Sequence, residues 1–294
     1  MRRTILLFIL LAALLLGCAP EQPQAQIAAT TLPVYEFTSR LCDGTGLTVT
    51  QLVTDAVSCL HDYSLNVRQV KSAECAEMII ISGAGLEEFM EDLLAEKNVV
   101  DSSVTVPLLE GGHDHVHGDE EVSHEGHHHE ADPHIWLSPR NGKIMAENIA
   151  AGLSYQYPQY ADTFQNNLVA LLADLDTLQT YGEAQLASLN SRELITFHDG
   201  FAYLADSFDL TILEAVEEES GSEASAAELI HLIKEVRRHN LPAIFTEKLG
   251  SVSAAQTIAT ETGVSVYELD MVMHGTSYFD AMYHNINTLK GALE

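Results

Sequence analysis

Apolar positions along this chain fall into two alternating patterns. Short β-rich runs occur at Ile27–Thr31, Leu47–Val53, Glu77–Ile81, Leu194–Phe197, Ile244–Thr246 and Val264–Leu269. Helical spacing separates them, as at Leu65–Ala76, Leu86–Ala95 and Ala226–His239. Strand–helix alternation predicts α/β layers with mostly parallel sheets. The alternation runs once before residue 110 and again after residue 192, which predicts two similar lobes, 27–157 and 191–294. Between them Phe164, Leu168, Leu171, Leu175 and Leu178 recur at steps of 4, 3, 4 and 3, the stripe of an amphipathic helix. With no Gly or Pro from residue 159 to Gly182, the spacing predicts a stiff connecting helix within 158–190. At 1.5 Å per residue it would be about 45 Å long.

The N-terminus has a different pattern. Arg2 and Arg3 precede an apolar run from Ile5 to Leu16. A membrane span needs about 20 residues, so this shorter run reads as an export signal over 1–17. Leu15-Leu16-Gly17-Cys18 resembles a bacterial lipobox, which implies cleavage before Cys18 and a lipid on its thiol. Residues 18–26 then read as a lipidated tether. Of the remaining cysteines, Cys42, Cys59 and Cys75, an exported location permits a disulfide. Cys42–Cys59 is the favoured pair, because Cys75 falls in a predicted helix; a thiolate ligand at Cys59, two residues before His61, is the alternative.

Charge narrows the function. The 294 residues hold 14 Lys and Arg against 43 Asp and Glu, a balance of −29, and also 14 His. Loss of residues 1–17 leaves 12 basic residues and a balance of −31. Nucleic-acid binding is excluded, because phosphate contacts need clustered Lys and Arg. At 46% apolar residues there is ample material for packed cores. Residues 110–132 cannot build one: they hold seven His and eight acidic residues and no Lys or Arg. His113, His115, His117, His124, His127, His128 and His129 make this insert a loop of weak, exchangeable sites for zinc-like metals.

Four further positions suggest a single site. His61 lies in Ser58-Cys59-Leu60-His61-Asp62-Tyr63, and His134 in Asp132-Pro133-His134-Ile135-Trp136. His198 and Asp270 end predicted strands, where ligands gather in open α/β sheets. No short metal motif links the four. Five blocks resolve the question: the lipobox, HDYSL at His61, SGAGLEEF at Ser82–Phe89, DPHIWLSP at Asp132–Pro139 and FHDGFAYLA at Phe197–Ala205. Together with the Asp-containing last segment they resemble the cluster A-I solute-binding lipoproteins of bacterial ABC importers for zinc and manganese, and the His-rich insert resembles the zinc branch. The resemblance spans about Ile27 to Leu293.

That resemblance implies two lobes joined by a long rigid helix, with metal in the cleft between them. It implies His61 and His134 as ligands from the first lobe and His198 and Asp270 from the second. An imidazole at position 198 favours zinc over manganese or iron. Three imidazoles and one carboxylate suit tetrahedral zinc. Many relatives continue the last ligand as Asp-Pro-Leu-Gly, whereas this chain reads Asp270-Met271-Val272-Met273. Glu217–Glu219, Glu247 or a water could therefore substitute for Asp270, and His274 could compete. The implied role is capture of Zn(II) outside the membrane by a monomer held on its lipid, and delivery to a permease and its ATPase subunit. The chain itself has no phosphate-binding loop and no H-E-x-x-H, so neither an ATPase nor a zinc hydrolase is expected. A surface adhesin is the alternative outside transport.

Overall fold

Residues 25–57, 60, 63–109, 131–216, 224–250 and 252–294 are described in a computed structural model of the chain. One sheet contains β1 (Ile27–Ala29), β2 (Val49–Gln51), β3 (Met78–Ile81) and β4 (Val99–Asp101) in the order β2-β1-β3-β4. The other contains β5 (Glu193–Thr196), β6 (Thr211–Ala215), β7 (Ala243–Glu247) and β8 (Ser265–Leu269) in the order β6-β5-β7-β8. All neighbouring strands are parallel. The repeated order gives the two similar lobes that the alternation predicts. Every expected strand forms, with its ends shifted by a residue or two. Strands β4 and β6 have no counterpart in the predicted set. Both are half-exposed edge strands, so neither carries the long apolar run that marks β1 and β3.

The helices are α1 (Leu32–Leu41), α2 (Val67–Cys75), α3 (Glu91–Leu94), α4 (Pro139–Gln156), α5 (Ala161–Gln185), α6 (Ala202–Ser207), α7 (Ala226–His239), α8 (Ser253–Thr262) and α9 (Tyr278–Leu293). Their starts are written in the sequence: Asn66 with Gln69 and Ser225 with Glu228 form capping boxes on α2 and α7, and Ser138 caps α4 ahead of Pro139. The connecting helix α5 buries the five predicted positions, Phe164 to Leu178. It packs on α1, α4 and α9, and so holds elements of both lobes. It stops at Gln185, which shortens it to about 38 Å. No helix among the described residues is long and apolar enough to cross a membrane.

The helix expected over Leu86–Ala95 is broken into a 3-10 turn, Glu88–Met90, and the single turn of α3. The cause is Glu87, whose side chain turns inward. Its carboxylate accepts from Thr30 Oγ1 at 2.6 Å, Ser82 N at 2.8 Å and Gly83 N at 3.0 Å. Gly83 sits at φ +85°, and a Cβ there would lie 1.9 Å from Asp101 Oδ1. Burial outweighs the three donors and pushes the Glu87 carboxyl up to about 7. Between its ordinary value near 4.5 and about 7 the folded chain therefore holds a proton that the unfolded chain has lost. Stability should fall as pH rises through that window, with a slope approaching about 1.4 kcal/mol per pH unit. Urea midpoints at pH 5 and 7.5 should show this drop in the wild type and a smaller one in Glu87→Gln.

The two lobes share one hydrophobic core, which includes Phe37, Trp136, Leu171, Met271 and Tyr278. Polar contacts cross with it. The Trp136 indole N–H donates to Met271 O at 2.8 Å, the Leu32 N–H to Met273 O at 3.2 Å, and the Tyr278 hydroxyl to Trp136 O at 2.9 Å. Cys42 is a buried free thiol, and burial pushes it up to about 12. Its expected partner Cys59 lies outside the described residues, as do Cys18, the signal segment and the His-rich loop from 110 to 130.

Candidate metal centre

Strand order places the candidate residues. In a sheet ordered β6-β5-β7-β8, the connections diverge between β5 and β7, which opens a crevice at their carboxyl ends. His198 follows β5, Glu247 ends β7 and Asp270 follows β8. His134 reaches the same region from the first lobe, immediately before the 3-10 turn Ile135–Leu137 that leads into α4.

His134 and His198 meet there. Their rings are 5.4 Å apart between centroids and cross at 84°. Both side chains are almost wholly buried, at 2% and 1% exposure. Asp132 fixes His134: its Oδ1 accepts from the His134 backbone N–H at 2.9 Å and lies 2.8 Å from Nδ1. An ionised carboxylate can only accept, so Nδ1 carries the proton and Nε2 presents a lone pair. That Nε2 is buried and makes no hydrogen bond among the described residues. A carboxylate behind an imidazole whose far nitrogen lacks a partner is the usual support for a metal-binding histidine. Behind His198 stands Glu247, with Oε2 at 3.6 Å from Nδ1 and 2% exposure.

Gly200 makes the approach of the rings possible. A Cβ there would lie 2.6 Å from Met271 Cε, 2.7 Å from His198 Cδ2 and 3.0 Å from His134 Cε1. The glycine thus leaves room for both imidazoles and for the chain beside Asp270.

Asp270 is held differently. Its Oδ1 accepts from Val272 N at 2.7 Å, and its Oδ2 lies 3.1 Å from Lys248 Nζ. Asn285 bonds both its backbone N–H, at 2.8 Å, and its carbonyl, at 2.7 Å. Val272 sits at φ +61°, a strained conformation for a β-branched residue. The cross-lobe bonds to Met271 and Met273 hold that turn in place.

Of the four expected ligands, the structure thus brings His134 and His198 together and turns Asp270 to a lysine, while His61 lies outside the described residues. Among the described residues no three His, Cys, Asp or Glu are grouped to hold a metal ion. Of the named substitutes for Asp270, Glu247 supports His198, Glu217–Glu219 lie outside the described residues, and His274 stands half-buried on the loop after Met273. The sequence by itself assigns no role to Asp132, Gly200 or Lys248. Asp132 was visible only as a neighbour in DPH, and Lys248 only once the register of β7 and β8 is known.

The family described as zinc-uptake complex component A, periplasmic, matches residues 27–292. The chain belongs to this family. Zinc-binding lipoprotein AdcA of Streptococcus pneumoniae is 30% identical to it over 99% of this chain and 61% of its own length. The chain therefore spans about 60% of the length of that curated relative. A crystal structure of ZnuA superposes with a TM-score of 0.79 at 29% identity, covering 92% of this chain and all of the other. The Zn(II)-bound ZnuA-like domain of Streptococcus pneumoniae AdcA gives 0.75 at 26% identity, covering 92% of this chain and 99% of that domain. Family membership accounts for the parallel two-lobe fold.

Proposed function

We propose that this protein is the extracytoplasmic zinc-capturing component of an ABC metal importer, which binds Zn(II) between its lobes and delivers it to a membrane permease coupled to an ATPase. The observation that carries this reading is His134: buried, with Nδ1 2.8 Å from Asp132 Oδ1 and Nε2 without a hydrogen-bond partner among the described residues, its ring 5.4 Å from that of His198. Two imidazoles backed by carboxylates suit zinc better than the oxygen-preferring manganese. His61 and Asp270 complete the proposed ligand set. The role is binding and release, not catalysis.

In this reading residues 1–17 are removed, Cys18 carries the lipid, and the monomer works at the outer face of the membrane. The seven histidines between His113 and His129 gather zinc nearby and raise its local concentration without sharing in the tight site. Capture requires each ligating imidazole to be free of its proton.

Metal analysis tests the proposal. Protein purified without chelator or metal-affinity chromatography should carry one tightly held zinc per chain, and deletion of residues 113–129 should lower total zinc while that equivalent stays. Manganese or iron as the retained metal, or loss of the tight equivalent with the loop, would overturn it.

A further inference from the structure

The register of the second sheet sets a cation opposite the proposed carboxylate ligand. Strands β7 and β8 pair in parallel with Glu247 beside Leu269, so the next residues in register are Lys248 and Asp270. The backbone continues the pairing, with Lys248 N donating to Leu269 O at 2.8 Å. The side chains then meet, with Nζ 3.1 Å from Oδ2. Consecutive residues at one strand end thus serve two proposed ligands, Glu247 beside His198 and Lys248 on Asp270.

The two members of this pair differ in freedom. The Asp270 side chain is 8% exposed, its Oδ1 is occupied by Val272 N, and Asn285 fixes its backbone. It cannot turn to water, and a buried carboxylate without a cation is costly. The Lys248 side chain is 47% exposed, on a flexible stem with a strongly hydrated head. It can leave Asp270 for solvent.

We propose that Lys248 is a resident counter-ion for the zinc site: it neutralises Asp270 while the metal is away, is expelled by the charge of the entering ion, and returns as the ion departs. The inference rests on Asp270 being a zinc ligand. Its consequence is an affinity set below the maximum that the ligands allow, and faster release. A metal leaving for the permease does not strand a bare buried carboxylate, because the ammonium takes its place.

The test uses the mature protein and zinc alone, with Lys248→Met, Lys248→Arg, Asp270→Asn and the Met/Asn double variant. Lys248→Met keeps the stem and removes the charge. It should bind zinc about 10-fold tighter, release it correspondingly more slowly, and show a larger zinc-induced rise in melting temperature, because its metal-free form melts lower. Lys248→Arg should stay near wild type. Asp270→Asn should bind zinc more weakly, and adding Lys248→Met to it should bring no gain. Binding by Lys248→Met at wild-type affinity or weaker, with Asp270→Asn impaired, overturns the role of Lys248 and leaves the ligand reading intact. An Asp270→Asn variant with wild-type affinity overturns Asp270 as a ligand, and the role of Lys248 falls with it.

Discussion

Replacement of His134 or His198 by alanine is expected to weaken zinc binding by more than about 100-fold, and replacement of both to abolish the tight site. The scale follows from what lies behind these rings. Loss of a residue that only supports a ligating histidine costs about 10- to 100-fold in metal affinity. Asp132→Asn should fall in that range, because Asp132 fixes the proton of His134 on Nδ1. Removing the imidazole itself must cost more, since a zinc–nitrogen bond is lost and the vacated volume is buried. Competition with a chromophoric zinc chelator measures the change directly. A double variant that competes as well as the wild type would place the tight site elsewhere, with the His-rich loop next to be tested. The ordering also matters: Asp132→Asn milder than His134→Ala is the pattern of support behind a ligand, and the reverse would make Asp132 itself the ligand.

The largest expected effect on stability is at Trp136. Its side chain is fully buried where the two lobes meet, its indole N–H reaches Met271 O, and its own carbonyl receives the Tyr278 hydroxyl. Trp136→Ala removes the largest side chain of the shared core and should cost about 3–5 kcal/mol. Trp136→Phe keeps most of the ring and leaves Met271 O without its donor, at a cost of about 1–3 kcal/mol. Urea unfolding of the metal-free protein measures both. Met271 lies next to Asp270, and the His134 and Trp136 rings are 5.5 Å apart, so both variants should also bind zinc less tightly. Equal losses in the two would mean that the hydrogen bond, and not the packed ring, holds the lobes at this point.

Much of this architecture was legible because its signals are local. A strand buried on both faces is an unbroken apolar run, as in Met78–Ile81. A long amphipathic helix repeats its stripe many times, and all five predicted positions of the connecting helix are buried. Capping residues mark helix starts. The half-exposed edge strands β4 and β6 escape such a reading, whereas β2 and β8, also at sheet edges, lie within the predicted runs Leu47–Val53 and Val264–Leu269. The helix expected after Leu86 failed for a non-local reason. Glu87 is drawn inward by Thr30, Ser82 and Gly83, and no helical period encodes that attraction.

The site divides along the same line. By itself the sequence determined the residue types and their blocks: DPH, FHDG, an aspartate after the last strand and an acidic insert dense in histidine. These carry the proposal of a zinc-like metal, because ligand chemistry belongs to the side chain and survives any packing. Only the tertiary structure decided which groups meet. His134 and His198 are far apart in the chain and become neighbours because both lobes aim loops at one crevice and Gly200 leaves room between their rings. Asp270 receives Lys248 because β7 and β8 pair in one particular register. Charge count alone excluded nucleic acid and did not identify the cargo. Strand register decided that a cation of its own already stands against the carboxylate, since a hydrogen bond between distant residues exists only once the backbone has set them side by side.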